Sequence, residues 1–236
     1  MTITTDTITI PVAGSDMGAY VARPESGRAP ALIVLQEAFG VNDHIKDVCR
    51  RFAQQGYVAV APELFHRTAP QGFTAGYGDF AKLGEHFFAV TTDAITEDML
   101  AVYDWLLGDR QVDPGHVGAI GFCMGGRASY IANAKLPLRA AVSYYGGGIA
   151  PNLLPLAEEQ HAPILFCWGG LDKHLTAEQR NAVTSAMTEA NKPHIAAVFS
   201  DADHAFFCDA RPAYNANAAR QAWALTLSFL ATHLKP

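Results

Sequence analysis

The chain has 236 residues, of which 50% are hydrophobic, 17% charged and 10% aromatic, with 20 glycines and 13 prolines. This composition is typical of a globular protein and excludes disordered, coiled-coil, collagen-like and small disulfide-stapled chains. The net charge is −6 and no basic stripe stands out, so we do not expect a nucleic-acid partner. A chain of this length can bury one large core, and we predict a single domain over residues 1–236.

The N-terminus, residues 1–16, alternates apolar and polar side chains and lacks the basic and apolar regions of a signal peptide. No run reaches the ~18 apolar residues of a membrane span. We therefore expect a cytoplasmic protein that does not bind membranes. Its four cysteines show no C-x-x-C spacing, which argues against a zinc ribbon or a dithiol redox site; they are Cys49, Cys123, Cys167 and Cys208.

A β-hairpin is predicted first, because the alternating runs 2–10 and 17–23 flank the turn sequence Ala13-Gly14-Ser15-Asp16. Short apolar runs follow that are rich in β-branched or aromatic residues and predict strands buried on both faces. These runs are residues 31–35, 57–61, 117–120, 140–145, 164–168 and 195–199.

Segments with helical periodicity alternate with the strands, and they are residues 48–55, 93–107, 125–134, 177–190 and 213–233. Gln55-Gly56 is a helix-ending signal, and Asp113-Pro114-Gly115 predicts a turn before a strand. Residues 66–84 predict an irregular excursion over one edge of the sheet. The alternation indicates the α/β class, with a doubly wound, mostly parallel sheet, an N-terminal antiparallel hairpin and helices on both faces.

The sequence Gly121-Phe122-Cys123-Met124-Gly125 joins a predicted strand to a predicted helix through a G-x-C-x-G pattern. A nucleophile at such a sharp turn has a strained backbone and needs small residues two positions before and after it. Gly121 and Gly125 meet that need. The helix N-terminus would also favour the thiolate form of Cys123. The alternative is a buried cysteine between incidental glycines.

An acid and a base follow in the order that this kind of sheet imposes on a catalytic triad. Asp172 comes just after the run 164–168, and His204 comes just after the run 195–199. We predict that His204 takes the proton of the thiol and later activates water, while Asp172 orients the imidazole. Asp201 and Asp203 accompany no metal-binding pattern, so we interpret them as a polar turn and expect no metal and no cofactor.

An oxyanion hole would combine the backbone N–H of Met124 with that of Ala38, in the loop after the run 31–35. Glu37 precedes Ala38, and two interpretations stay open for it. Its carboxylate either faces solvent or lies near Cys123, where it would disfavour a second negative charge and keep the resting thiol protonated.

Five motifs in this order resemble the dienelactone hydrolases, or carboxymethylenebutenolidases, over essentially the whole chain. They are Gln36-Glu37-Ala38-Phe39-Gly40-Val41-Asn42, Gly121-Phe122-Cys123-Met124-Gly125-Gly126, Ser143-Tyr144-Tyr145-Gly146, Gly169-Gly170-Leu171-Asp172 and His204-Ala205-Phe206. The resemblance implies the α/β-hydrolase fold and a triad of Cys123, His204 and Asp172. It also implies that Glu37 regulates the thiol and that Tyr145 lines the substrate pocket.

The chain departs from characterised members of that family, which bind the carboxylate of their substrate with arginines. One of these arginines comes four residues after the catalytic histidine, where this chain has Cys208. Arg211 is the nearest arginine downstream of that position. The second family arginine comes from the segment around residues 80–84, where Lys82 is the basic residue of this chain. Either Arg211 and Lys82 replace the arginines in substrate binding, or the substrate lacks that carboxylate.

A thiolate is itself a good leaving group, so its attack on an ester is productive when the alcohol leaves at least as readily. We therefore predict hydrolysis of an activated ester or enol lactone through a thioester acyl-enzyme, by a monomer or small homo-oligomer acting on a small molecule. The alternatives are an esterase or thioesterase on other activated esters, and a non-catalytic binding protein. A dinucleotide-binding oxidoreductase is disfavoured because no G-x-G-x-x-G follows the early strands.

Overall fold

The computed structural model describes residues 2–25 and 27–235. The chain divides into two compact units, residues 1–118 and 119–236. A single domain therefore stays a prediction from the sequence, and the two units are described separately.

The first unit is built mainly from β-structure, with strands in the order β1-β2-β4-β3-β5. Strand β2 pairs antiparallel with β1 and β4, whereas β3 and β4 are parallel. The elements are β1 (Ile3–Val12), β2 (Ser15–Pro24), β3 (Ala29–Leu35), α1 (Asp43–Gln54), β4 (Val58–Pro62), α2 (Gly84–Ala89), α3 (Thr92–Gly108) and β5 (Val112–Phe122). Strand β5 continues across the boundary at residue 118 into the second unit.

The second unit begins in β5 and alternates helix and strand, with the strand order β5-β6-β7-β8. Strands β6, β7 and β8 are parallel to one another. The elements are α4 (Met124–Lys135), β6 (Ala140–Tyr144), β7 (Ile164–Gly169), α5 (Ala177–Glu189), β8 (His194–Phe199) and α6 (Ala216–Leu234). Tyr130, Phe166 and Trp168 are the largest side chains of an apolar cluster between β7 and the helices α4 and α5.

The predicted N-terminal hairpin is confirmed, with a tighter turn than the sequence indicates. Val12 pairs with Ser15, so the turn consists of Ala13 and Gly14 alone. Gly14 has φ 81°, a left-handed conformation that glycine adopts without strain in a tight turn. Ser15 and Asp16, predicted to lie in the turn, begin β2 instead.

Two details of the predicted strands are wrong. Strand β8 is not buried on both faces: Ile195 is 44% exposed and Val198 is 51% exposed, because β8 is the terminal strand of the order. Asp113-Pro114-Gly115 does not form a turn before a strand but lies inside β5. Proline has the φ angle of an extended residue near a strand end, and the Asp113 carboxylate accepts a local bond from the Gly115 N–H at 3.3 Å.

Helix α1 begins five residues earlier than the predicted segment 48–55, because Asn42 caps it by accepting a hydrogen bond from the Ile45 N–H at 3.2 Å. The segment 66–84 is largely irregular, as predicted, but contains a 3₁₀ helix at Phe80–Lys82. No helix within residues 2–25 and 27–235 is long and apolar enough to cross a membrane.

Helix α5 starts with a capping box directly after the turn that holds Asp172. The Thr176 hydroxyl accepts from the Gln179 N–H at 3.3 Å, and the Gln179 side chain accepts from the Thr176 N–H at 3.0 Å. These two reciprocal bonds satisfy backbone donors that the first turn of a helix leaves open. The box therefore fixes where α5 begins relative to the preceding loop.

We expect Thr176→Ala to lower the free energy of unfolding by about 1 kcal/mol, because the side-chain acceptor for the Gln179 N–H is lost. Thr176→Ser keeps the hydroxyl and serves as the matched control, with an expected loss of less than half as much. Urea denaturation followed by circular dichroism measures both. Equal losses in the two variants would contradict the capping role.

Candidate active site

Cys123 lies at a sharp turn between β5 and α4 and has φ 55° and ψ −115°. A residue other than glycine rarely adopts a positive φ, and such strain is held in place by its surroundings. The Cys123 N–H donates to the Tyr144 carbonyl at 3.0 Å. A Cβ on Gly121 would overlap the Gly125 carbonyl, so only glycine fits there. The strained elbow predicted at Cys123 is therefore present.

The backbone is equally crowded on the far side of the elbow, where α4 meets the end of β6. A Cβ on Gly126 would lie 2.6 Å from the Tyr144 carbonyl oxygen and 2.8 Å from the Cα of Gly146. Sequence reasoning named Gly121 and Gly125 as the required small residues but gave Gly126 no such role. The second glycine of Gly125-Gly126 is the signal that could have identified it.

Asp172 and His204 are joined by a hydrogen bond between Asp172 Oδ2 and His204 Nδ1 of 2.8 Å. The other carboxylate oxygen accepts from the backbone N–H groups of His174 at 2.7 Å and Leu175 at 3.1 Å. Both oxygens of Asp172 are thus engaged, and its side chain is buried. This arrangement directs Nδ1–H towards the carboxylate and leaves Nε2 for chemistry.

Two glycines after β7 let the acid-bearing loop approach the histidine-bearing loop. A Cβ on Gly169 would lie 2.6 Å from the Ala202 carbonyl oxygen, and one on Gly170 would lie 2.7 Å from the Cα of Ser200. His204 is followed by Ala205, whose φ is 65°. Close contact of the two loops, together with this strained turn, determines where the imidazole lies.

The charges of Cys123, His204 and Asp172 influence one another. Burial lowers the pKa of His204, but hydrogen bonds and charges from Asp172 and Cys123 outweigh it and raise the pKa from 6.5 to about 10. Burial raises the pKa of Asp172, and the bonds from His204 and the two backbone N–H groups outweigh it, so that this pKa is lowered. His204 is therefore hydrogen-bonded to the thiol on one side and to the carboxylate on the other.

Met124 is the first residue of α4, where backbone N–H groups have no partner within the helix. Its N–H is thus suited to an oxyanion hole, which remains a prediction. Ala38 and Glu37 belong to the first unit and are both buried. Glu37 is 0% exposed, so the interpretation that its carboxylate faces solvent is wrong. Its regulatory role and the contribution of Ala38 stay predictions.

The predicted substrate-binding residues differ in their surroundings. Tyr145 is fully buried, has φ 38°, and its ring centroid lies 5.1 Å from that of His204. Lys82 is exposed and pairs with Asp79 at 3.1 Å. Arg211 is half-buried, and its backbone N–H donates to the Cys208 carbonyl at 3.1 Å. The structure thus brings Tyr145 next to the imidazole, and the substrate-binding roles of Lys82 and Arg211 stay predictions.

Sequence reasoning missed Arg127 and His174. Arg127 is half-buried one helical turn after Cys123; burial lowers its pKa, whereas the charge of Cys123 raises it. The His174 ring is exposed and meets His204 edge to face, with ring centroids 5.1 Å apart. The spacing of four residues from the nucleophile on a helix could have identified Arg127. Nothing in the sequence marks the distance between His174 and His204.

The other cysteines are fully buried, in agreement with their interpretation as structural residues. Burial raises the pKa of Cys49 and raises that of Cys167 to about 12. Cys208 stands four residues after His204, where the resemblance places a substrate-binding arginine, and its side chain is fully buried. Within residues 2–25 and 27–235, no group of three His, Cys, Asp or Glu side chains is arranged to hold a metal ion.

Residues 17–234 match the model of the dienelactone hydrolase family. This chain belongs to that family. It is 37% identical to a Synechocystis sp. protein named as a candidate carboxymethylenebutenolidase, over 99% of this chain and 98% of the relative. It is also 32% identical to the carboxymethylenebutenolidase of Pseudomonas putida, over 92% of each chain.

A crystal structure of a candidate dienelactone hydrolase from Klebsiella pneumoniae is similar to this family member, with a TM-score of 0.89 and 33% identity. The likeness covers 98% of this chain and 99% of the other. The predicted α/β-hydrolase fold is thereby confirmed. Membership of the family also makes the protein a hydrolase that acts on ester bonds.

We expect Asp172→Asn to lower the pKa of His204 from about 10 towards its ordinary value of 6.5. The carboxylate favours the charged imidazole, and the amide does not. In the unaltered protein the charged imidazole stabilises the folded state fully below about pH 6.5, and this contribution is lost as the pH rises through about 10. In Asp172→Asn, the free energy of unfolding measured against pH should no longer decline over this range.

The pKa itself is measured by NMR titration of the His204 imidazole, with His204→Gln used to assign its resonances. Asp203→Asn is the matched control, because the Asp203 carboxylate contacts the backbone N–H of His204 at 2.7 Å and not its ring. An unchanged titration midpoint in Asp172→Asn would contradict the coupling between the two side chains.

Proposed function

We propose that this dienelactone hydrolase family member hydrolyses an activated carboxylic ester or enol lactone through a Cys-His-Asp triad. The observation that carries the proposal is the combination of a strained elbow at Cys123 with a hydrogen-bonded chain from thiol to His204 to Asp172. Nucleophilic catalysis needs a base within reach of the nucleophile and a group that orients the base. A pure ligand-binding protein would need neither.

Acylation begins when His204 takes the proton of the Cys123 thiol. The thiolate sulfur attacks the carbonyl carbon of the substrate, and the carbonyl oxygen becomes an oxyanion. We assign its stabilisation to the backbone N–H groups of Met124 and Ala38. The intermediate collapses by breaking the bond to the alkoxy oxygen, which takes the proton from His204. A thioester on Cys123 and a free alcohol or enol remain.

Deacylation repeats the proton transfers with water. Neutral His204 removes a proton from a water molecule, whose oxygen attacks the thioester carbonyl. The second tetrahedral intermediate expels the Cys123 thiolate, which takes the proton back from His204, and releases the acid. Throughout both steps Asp172 stays ionised, since its lowered pKa favours the carboxylate, and it stabilises the imidazolium that forms twice per turnover.

The chemistry of the nucleophile limits the substrate class. The first intermediate can expel either the thiolate or the alcohol, and the better leaving group departs. Enol lactones, aryl esters and thioesters have leaving groups that compete with a thiolate, whereas alkyl esters and amides do not. The substrate we propose is therefore an activated ester or lactone, with other esterase or thioesterase substrates as the alternative within this class.

Replacement of the nucleophile tests the triad directly. We expect Cys123→Ala to lose at least about 10⁴-fold in kcat on both a dienelactone and an uncharged aryl ester, because no thioester can form. Cys49→Ala, which alters a buried thiol of α1, is the matched control and should keep its activity. Mass spectrometry after rapid quenching should show an acyl group on the peptide that contains Cys123.

The comparison of the two substrates also tests the carboxylate recognition predicted for Lys82 and Arg211. A strong preference for the dienelactone, reduced in Lys82→Ala or Arg211→Ala, would support that role. Turnover of the aryl ester alone would keep the triad and exclude a carboxylate requirement. Retained activity in Cys123→Ala would contradict the nucleophile, and a lack of activity on every activated ester would favour the non-catalytic binding protein.

The regulatory role proposed for Glu37 has its own test. If its carboxylate disfavours the thiolate of the resting enzyme, Glu37→Gln should raise the rate of Cys123 alkylation by iodoacetamide several-fold at neutral pH. Glu25→Gln, which removes a carboxylate at an exposed position, is the control for a general change in charge. Equal rates in Glu37→Gln and the unaltered protein would contradict thiol control by this residue.

A further inference from the structure

We infer that Arg127 is a positioning residue that stabilises the thiolate of Cys123 through its fixed positive charge. The inference rests on the proposed function of Cys123 as the nucleophile. It assigns a role to a residue that the predicted triad, oxyanion hole and substrate-binding residues do not include.

The helix itself places Arg127 beside the nucleophile. Cys123 precedes α4 as its N-cap residue, and the Arg127 N–H donates to the Cys123 carbonyl at 3.3 Å. This bond places the Arg127 backbone one helical turn after that of Cys123, in the first turn of α4. Because Cys123 belongs to a strained turn whose φ is 55°, its position relative to this first helical turn is fixed.

The glycine-rich turn after β6 holds the side chain of Arg127 in place. A Cβ on Gly146 would lie 2.9 Å from the Arg127 backbone nitrogen, so the turn runs directly against the start of α4. Farther along, a Cβ on Gly148 would lie 3.5 Å from Arg127 Cδ and 3.6 Å from Nη1. The turn Gly146-Gly147-Gly148 thus packs against the stem and the guanidinium of Arg127.

The same turn reaches the histidine side of the site. A Cβ on Gly147 would lie 3.9 Å from the carbonyl oxygen of His174, and the His174 ring meets that of His204. The turn therefore lies between Arg127 and the loop that carries His174. Only Gly146 leaves no room for a side chain against the Arg127 backbone, whereas a Cβ on Gly148 would make ordinary contacts with the Arg127 side chain.

Charge and burial agree with this geometry. Burial lowers the pKa of Arg127, and the charge of ionised Cys123 raises it, which is the signature of a cation near an anion away from bulk water. In the described part of the second unit, His204 couples to the thiol, and Asp172, His174 and Tyr145 surround the His204 ring. Unlike these groups, Arg127 keeps its positive charge across the whole working pH range.

A permanent cation has a distinct use in this reaction. The imidazolium of His204 gives its proton to the leaving group during acylation, so its charge disappears within the cycle. The guanidinium does not exchange protons and favours the thiolate both before attack and when the sulfur leaves the second intermediate. The proton and electron transfers of the proposed mechanism are unchanged, because Arg127 forms and breaks no bond.

Alkylation of Cys123 tests this role without any substrate. The rate of alkylation by neutral iodoacetamide measures how much reactive thiolate is present. The rate with negatively charged iodoacetate also rises when a positive charge lies beside the thiolate. We expect Arg127→Gln to slow iodoacetamide by about three- to tenfold at pH 7, as loss of a cationic neighbour within reach of a thiol does. The rate of alkylation by iodoacetate should fall by at least about threefold more than the rate with iodoacetamide. Arg127→Lys keeps the charge and should restore most of both rates.

Arg220→Gln is the matched control, because it removes an exposed arginine of α6 and should change neither rate. Cys123→Ala gives the labelling background from the buried cysteines. In steady state, Arg127→Gln should lower kcat on an uncharged aryl ester and leave KM within about twofold. A purely structural role would instead lower the amount of folded enzyme without changing the ratio of the iodoacetate rate to the iodoacetamide rate.

Equal slowing by the two reagents in Arg127→Gln, or no slowing, would overturn the inference. If Arg127→Gln does not fold, Arg127→Met decides by the same two rates, because it keeps a long side chain without the charge. Greater slowing of iodoacetate than of iodoacetamide would support the inference, and equal slowing or none would overturn it. Because alkylation needs no turnover, these outcomes are independent of whether the protein hydrolyses the esters tested.

Discussion

The site depends on backbone segments that approach so closely that only glycine fits between them. Gly121 and Gly126 flank the elbow at Cys123, and Gly169 and Gly170 lie where the acid-bearing and histidine-bearing loops meet. This crowding holds Cys123, Tyr145 and Ala205 at positive φ, each at a cost of about 1–3 kcal/mol. Cys123 and Tyr145 directly follow β5 and β6, so these rigid strands determine the positions of the two residues.

Electrostatics complement that rigidity. A buried carboxylate is unfavourable unless its oxygens are hydrogen-bonded, and Asp172 meets this condition with two backbone N–H groups on one oxygen and His204 on the other. The engaged carboxylate then favours a charged imidazole, and the imidazole hydrogen-bonds to the thiol. Asp172 thus stabilises the charged imidazole beside the predicted nucleophile, as the acyl transfer that we propose requires.

The sequence predicted the elements that depend on local patterns and missed features that depend on neighbours. The G-x-C-x-G pattern, and the positions of Asp172 and His204 after apolar runs, led to the predicted triad, of which the structure joins Asp172 and His204 by a hydrogen bond. The exposure of β8 was missed because it follows from the position of the strand at the end of the sheet order. The start of α1 was missed because its first turn is polar, and only the cap at Asn42 marks it.

The sequence by itself determined the family and the fold class and predicted the order of nucleophile, acid and base, because strand ends, glycine spacing and chain order are local properties. Only the tertiary structure decided which ionisable groups share an environment. It buried Glu37, set His174 against His204, and packed Arg127 beneath the glycine turn near Cys123. These relations join residues distant in the chain, and the free energy of a charge depends on what surrounds it in space rather than on its sequence neighbours.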